Sequence, residues 1–275
     1  MTDASGHADV YTHGHHRSVV GQHARRTAEH DAAFLLPRLR PGMRLLDAGC
    51  GPGTITVGLA RAVAPGDVVG VDVSEAVLAL AREHAREAGT GHVRFEAHSV
   101  YALPWEAGAF DVAYAHQLLQ HLSRPVDALR ELRRVLVPGG LVAVRDADYG
   151  TFSAWPPFEE LSRFLEVYHR VAARNGADAD AGRRVPGWLR EAGFEAIELF
   201  PTVQLYADAA SVANWGTSWA ERVVHSSLAA QAVRYALATP GELEAIAEGW
   251  RAWVRTDGAL FMFVQMAAIG RAPGG

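Results

Sequence analysis

Short apolar runs alternate with helical patterns through the first 150 residues, and this alternation limits the fold more than any other feature of the chain. "MRLLDAG", "DVVGVDVS", "HVRFEAHS", "FDVAYAHQ" and "LVAVRDAD" read as five buried strands. Between them, residues 54–63, "EAVLALAREHAREAG" and "PVDALRELRRVL" return apolar residues at helical spacing. Ser74 is placed to cap the second of these helices and Gly89 to stop it. Parallel neighbours need a crossover, and a helix is the usual one, so strands alternating with helices predict an α/β fold. The expected architecture is a doubly wound parallel sheet with helices on both faces. After residue 150 the alternation is interrupted. Residues 156–175 read as helix, "VPGWLREAGF" as another, and "EAIELFPTVQLY" as a sixth strand. Residues 209–253 read as helix, and "ALFMFVQMAAIG" closes the chain as an apolar strand. Two helical insertions, at about 150–185 and 209–253, are expected to form a lid over the sheet's ligand edge. Upstream, "SVVGQHARRTAEHDAAFLLPRL" predicts a helix capped by Ser18 and ended by Pro41-Gly42.

Composition removes several function classes. The chain has 275 residues, a hydrophobic fraction of 49% and a net charge of −5, with no basic block, so nucleic acid is not an expected partner. No apolar run reaches about 18 residues and the first ten are polar, which predicts a cytoplasmic protein without a membrane partner. Cys50 is the single cysteine, so neither a disulfide framework nor a thiolate metal site is expected. All 26 basic residues are arginine. Without lysine there is no Schiff-base chemistry and no phosphate loop ending in Gly-Lys.

The stretch "LLDAGCGPGTIT" places Gly49, Gly51 and Gly53 straight after the first strand. Glycine weakens a regular element, so three in five positions suggest a backbone that a ligand approaches closely. In an open parallel sheet that ligand lies at the carboxyl ends of the strands. Asp72, at the end of the second strand, follows Gly53 by 19 residues, the offset at which a carboxylate meets ribose hydroxyls. A dinucleotide site calls for G-x-G-x-x-G; here the third glycine comes one place early and Pro52 removes an N–H from the turn. Asp47 would repel a pyrophosphate but suits a cofactor with a cationic amino-acid end. The pattern favours S-adenosylmethionine over a nicotinamide dinucleotide, against the plainer reading of an ordinary strand-turn-helix junction.

"LLDAGCGPG", "VVGVDVS", "ALPWEAGAFDVAYAHQLLQHL" and "ALRELRRVLVPGGLVAV", in that order, resemble class I S-adenosylmethionine-dependent methyltransferases, in particular the group related to the ubiquinone/menaquinone-biosynthesis enzymes. The resemblance covers residues 35–146 most strongly. It implies a Rossmann-like, seven-stranded, mostly parallel sheet whose last strand is antiparallel. It also implies an N-terminal segment, residues 1–34, that covers the cofactor, followed by a methyltransferase domain over 35–275. By the same resemblance, Gly49 and Gly51 lie against the methionine part with Asp47 nearby, Asp72 binds the ribose and Val73 packs on the adenine. Ser99 stands where the family has an Asp that binds the adenine amino group, with the Val100 N–H beside it. His116 offers its carbonyl to the cofactor's amino group, Tyr11 lies in the covering segment, and His121 is structural.

Methyl transfer needs an oriented nucleophile and a dry site; a base is needed only for an acceptor that holds its proton at ambient pH. Base candidates are His15 and His16 in "YTHGHH", with a polar or metal-collecting surface tract as the competing reading; that reading leads for His7 and His13. Asp146, with Asp148 and Tyr149 in "RDADYG", is the other candidate, against a solvated turn. Trp155, Trp215 and Trp219 are candidate acceptor contacts, while Trp250 and Trp253 pack as core. The expected function is methyl transfer to a small hydrophobic or aromatic natural product through oxygen, nitrogen or carbon, with homo-oligomerisation open. The alternatives are a catalytically idle S-adenosylmethionine-binding protein and a nicotinamide-dependent oxidoreductase.

Overall fold

Runs rich in Val, Leu, Ile and Ala pair into one seven-stranded sheet in the order β3-β2-β1-β4-β5-β7-β6. The computed structural model of the chain describes residues 9–10, 12 and 26–274. The strands are β1 (Leu45–Ala48), β2 (Val68–Asp72), β3 (Val93–Ala97), β4 (Phe110–His116), β5 (Leu136–Trp155), β6 (Glu195–Tyr206) and β7 (Leu260–Arg271). β1 to β5 are parallel to one another, and β7 runs antiparallel to both β5 and β6. The strand order reverses between β1 and β4, so the ends of these strands flank the crevice where ligands of such sheets bind.

The described helices are α1 (Ala28–Asp31), α2 (Thr54–Val63), α3 (Glu75–Glu87), α4 (Pro125–Val135), α5 (Glu159–Arg174), α6 (Ala181–Glu191), α7 (Ala209–His225), α8 (Ser227–Arg234) and α9 (Pro240–Val254). One face of the sheet packs α1 and α2 through Ala28, Leu59 and Val63 onto Leu45, Tyr114 and Ala143. The other packs α4 and α6 through Leu129, Leu132, Val185 and Leu189 onto Val142, Val144 and Ala268. A third apolar core joins α5, α7, α8 and α9 to the distal ends of β5 and β7. It is aromatic: Trp219 lies 4.6 Å from Phe164, and Trp250 lies 5.5 Å from both Phe164 and Phe261. None of the described helices is long and apolar enough to cross a membrane.

Three expectations are corrected. Among the described residues the helix expected from Ser18 to Leu39 is only the one-turn α1. Thr27 Oγ1 accepts from His30 N–H and Asp31 Oδ2 accepts from Thr27 N–H, which closes that turn, and Pro37 then sits in a separate 3₁₀ turn, Leu36–Arg38; Ser18 lies outside the described residues. The fifth strand does not stop at Asp148 but continues through a bulge between Asp148 and Ser153 to Trp155. The insertion expected at 150–185 therefore begins as strand. It also splits, because α5 joins the aromatic core whereas α6 covers the opposite face of the sheet. Ser74 is the N-cap of α3 without a side-chain cap bond; its own N–H is given to Asp72.

Candidate active site

The glycine turn is sealed by its own surroundings. The N–H groups of Gly49 and Cys50 both donate to the Val71 carbonyl (2.8 and 2.9 Å), and that of Gly53 to Cys50 O (3.1 Å). Gly51 N–H donates to Asp72 Oδ2 (3.2 Å), and Pro52 has none to give. The amides of Gly49, Cys50 and Gly51 are thus spent within the protein. A Cβ on Gly51, whose φ is +54°, would meet nothing within 4 Å, so this residue opens onto the crevice. A Cβ on Gly49 would press Leu118 Cδ1 at 2.9 Å, and one on Gly53 would press Ala81 Cβ at 2.8 Å. Those two glycines therefore serve close packing. A turn with its amides consumed and Pro52 in its middle makes no cradle for a diphosphate.

Two carboxylates border the turn. Asp72 accepts from Gly51 N–H and from Ser74 N–H (2.9 Å), which fixes its side chain at the lip of the crevice. Asp47 is buried beneath the turn and accepts from Thr56 Oγ1 (2.6 Å). Burial, and next to it the Asp72 charge, push its carboxyl up to about 7, while the Thr56 hydroxyl pulls it down. A cation beside it would draw it into the charged form. Val73, next to Asp72, is 75% exposed, an apolar side chain presented to the outside. Ser99 Oγ accepts from Tyr101 N–H (3.3 Å), and Val100 is buried behind it.

β4 ends at the same crevice. The His116 ring is buried and its Nδ1 is 3.2 Å from the Tyr114 hydroxyl, which donates to Asp31 O. Burial, then the charges of Arg26 and Arg145, hold His116 well below the ordinary imidazole range, so it is neutral. Gln117 follows with φ +49°; its N–H goes to Arg145 O and its side chain accepts from Arg26. His121 is pushed down to about 3 by burial, and its Nε2 accepts from Gln120 Nε2 at 3.0 Å.

Strand alternation separates the "RDADYG" candidates. Arg145, Ala147 and Tyr149 lie on one face of β5, Asp146 and Asp148 on the other. Arg145 pairs with Asp31 (3.1 Å) and donates to Thr202 (3.3 Å). Asp146 is fully buried under the turn after β4 and takes the Gln120 N–H (3.0 Å); burial pushes its carboxyl up to about 7. Asp148 is clamped by Arg183 at 2.6 and 2.7 Å. The expectation that Asp146 and Asp148 face the acceptor is thus corrected: each holds a neighbouring element to the sheet. Tyr149 does turn toward the aromatic core, stacked on Tyr168 at 4.2 Å.

The tryptophans also divide. Trp215 stacks on Tyr206 at 4.3 Å and lies 5.7 Å from Phe263. Trp219 is 1% exposed, a wall behind Trp215 rather than a surface. Trp155, at the distal end of β5, is 65% exposed, and its carbonyl accepts from Trp253 Nε1. Tyr11, His15 and His16 lie outside the described residues. The sequence reading missed Arg26, Asp31 and Arg145. The signal for Arg145 was a charge inside the apolar run "LVAVRDAD", which demands a buried partner.

Residues 39–193 match the methyltransferase-domain family. The chain belongs to the class I S-adenosylmethionine-dependent methyltransferases. An uncharacterized methyltransferase of Schizosaccharomyces pombe is 34% identical over 225 residues, covering 79% of this chain and 81% of that one. The ubiquinone/menaquinone biosynthesis C-methyltransferase of Vibrio vulnificus is 30% identical over 176 residues, 57% of this chain and 65% of that protein. In fold, a Bacillus halodurans protein of methyltransferase type superposes with a TM-score of 0.60 at 20% identity, over 88% of this chain and 99% of that one. The methyltransferase's cofactor is S-adenosylmethionine, and the sealed turn between two carboxylates fits it, since a cationic nucleoside without phosphates is suited to acidic neighbours and needs no amide cradle.

Proposed function

We propose that this methyltransferase modifies a small acceptor with a planar, apolar body. The observation that carries this reading is the buried aromatic wall on the face of the sheet that bears His116 and Arg145. Tyr149 and Tyr168 stack at 4.2 Å, Tyr206 and Trp215 at 4.3 Å, and Phe263 lies 5.7 Å from Trp215. The wall continues the face that bears His116 and Arg145, whose strands end at the crevice. Aromatic side chains of this kind bind flat apolar ligands through area and ring geometry.

In this reading the helices α5, α7, α8 and α9 are the lid. Asp72 takes the ribose hydroxyls, Val73 covers the adenine and Ser99 with the Val100 N–H receives its edge. Asp47, Gly49, Gly51 and the His116 carbonyl hold the methionine end. The cofactor supplies an activated methyl on a sulfonium, which needs no acid to leave. The chain's task is then to align the acceptor and exclude water. Asp146 positions the turn after β4 through its hold on Gln120 N–H.

Residues 1–34 cover the site in this proposal. Two contacts support it: Asp9 accepts from Tyr101 Oη (2.7 Å) and Ser123 N–H (2.9 Å) beside the adenine side, and Thr12, 1% exposed, accepts from Asn175 at the end of α5 (3.0 Å). In this proposal Tyr11 belongs to the cofactor-binding set, and His15 or His16 serves as base where the acceptor is a hydroxyl. Incubation with S-adenosylmethionine and a panel of phenols, naphthols and aliphatic amines tests the reading by release of S-adenosylhomocysteine. Turnover with planar aromatic acceptors is expected. Turnover confined to the amines overturns it.

A further inference from the structure

Gln265 is a buried amide that nothing in the fold uses. It is 5% exposed, and its side chain makes no hydrogen bond among the described residues; Oε1 is fully enclosed without a partner. It stands on β7 two residues from Phe263, with Ala147 of β5 and Thr202 of β6 as its register neighbours. Ala147 offers only a methyl, and the Thr202 hydroxyl already accepts from Arg145. Met266 and Asp146, the polar and flexible neighbours in sequence register, are on the opposite face. Gln265 therefore sits where the polar floor of Arg145, Thr202 and His116 gives way to the aromatic wall of Phe263, Tyr149 and Trp215. Trp215 is a second such group: its indole N–H is buried without a partner among the described residues. Buried polar groups without partners weaken a fold, so a core position that could hold Leu or Met without loss holds Gln for another reason.

We propose that Gln265 is a specificity-determining residue that hydrogen-bonds an uncharged oxygen, hydroxyl or carbonyl, on the methyl acceptor, with the Trp215 indole N–H as a second donor to the same molecule. This rests on the aromatic-acceptor reading above and adds a polar requirement to it. A carboxamide offers one acceptor and two donors, which suits a neutral oxygen in either protonation role. An ammonium is disfavoured, because Arg145 lies on the same floor and the acid paired there, Asp31, is already engaged by it. A site built to hydrogen-bond a ligand oxygen rejects the analogue that lacks it, since its own group is then left unpaired.

The full-length protein saturated with S-adenosylhomocysteine is titrated with 2-naphthol, naphthalene and 2-naphthylmethylamine, in the native form and as Gln265→Met. The native protein is expected to bind 2-naphthol about tenfold more tightly than naphthalene, with the amine weakest. Gln265→Met should bind naphthalene as the native protein does and lose the preference for naphthol. Without any probe, Gln265→Met should melt no lower than native and up to about 2–4 °C higher. A naphthol preference that survives in Gln265→Met overturns the proposal. So does a melting point well below native, which would make Gln265 a structural residue. Failure of the native protein to bind naphthol or naphthalene removes the aromatic-acceptor reading and this proposal with it, whereas equal native binding of the two removes this proposal alone.

Discussion

Gly51 and Gly53 sit two residues apart with similar positive φ and carry different burdens. The Gly51→Ala methyl enters open space toward the crevice, so its main expected effect is on the cofactor. Affinity for S-adenosylhomocysteine should fall several-fold in calorimetry, with a melting-point loss of a few degrees from an alanine held at positive φ. The Gly53→Ala methyl meets Ala81 and the Phe95 ring, so its melting point should fall by several degrees more than that of Gly51→Ala. Ser99→Asp should tighten cofactor binding a few-fold, since Asp still accepts from Tyr101 N–H and adds a charge for the adenine amino group. Asp47 and Asp146 give a pH prediction with a definite sign. Both carboxyls titrate near 7 in the fold, against 3.8 unfolded. Between these values the unfolded chain binds fewer protons, so stability is greatest below about pH 4 as far as these groups are concerned and is lost as pH rises through 7. Melting curves from pH 5 to 8 should show that loss, and Asp146→Asn should reduce it, because its Oδ1 still accepts from Gln120 N–H.

Elements are held to the sheet by a few buried polar ties, and their costs differ with burial. Asp31 fixes α1 by taking Arg145, and both side chains are nearly fully buried. Asp31→Ala leaves that guanidinium buried without its acid, and a loss of about 3–5 kcal/mol in denaturant unfolding is expected. Arg183 ties α6 to Asp148 in a bidentate pair, but its side chain is half exposed. Arg183→Ala should therefore cost less, and what it does cost comes from the Asp148 carboxylate left under α6. At the start of α9, Thr239 and Glu242 form a capping box. Thr239→Ala should cost about 1 kcal/mol by the same measurement.

On the scale of the whole molecule, the sheet and the aromatic helical layer meet at the crevice, and the chain near its start touches both. Asp9 is bound by Tyr101 and Ser123, and Thr12 by Asn175 at the end of α5. Deletion of residues 1–17 should weaken cofactor affinity by at least about tenfold while the remainder keeps a cooperative melt. Binding measured on the shortened chain that equals the native value would separate the segment from the site.

Periodicity sufficed for the alternation of strands and helices, the closing strand, and the turn with its two carboxylates, because each is written within a few residues: apolar spacing, glycine where φ must be positive, an acid at a strand end. It failed wherever the outcome lay between distant elements. Which face Asp146 takes depends on the register of β5 against β4 and β7, and a one-residue step decides between crevice and opposite layer. The amides of the glycine turn are consumed by Val71 and Asp72, some twenty residues on in sequence, so only the folded chain shows that the turn presents a bare backbone face. Arg145 needed Asp31, and Gln265 lacks a partner among the described residues; neither fact is local. Local sequence sets which elements form, whereas the partner of a buried polar group is fixed by tertiary contact, and it is those partners that distinguish a structural charge from a ligand-binding one.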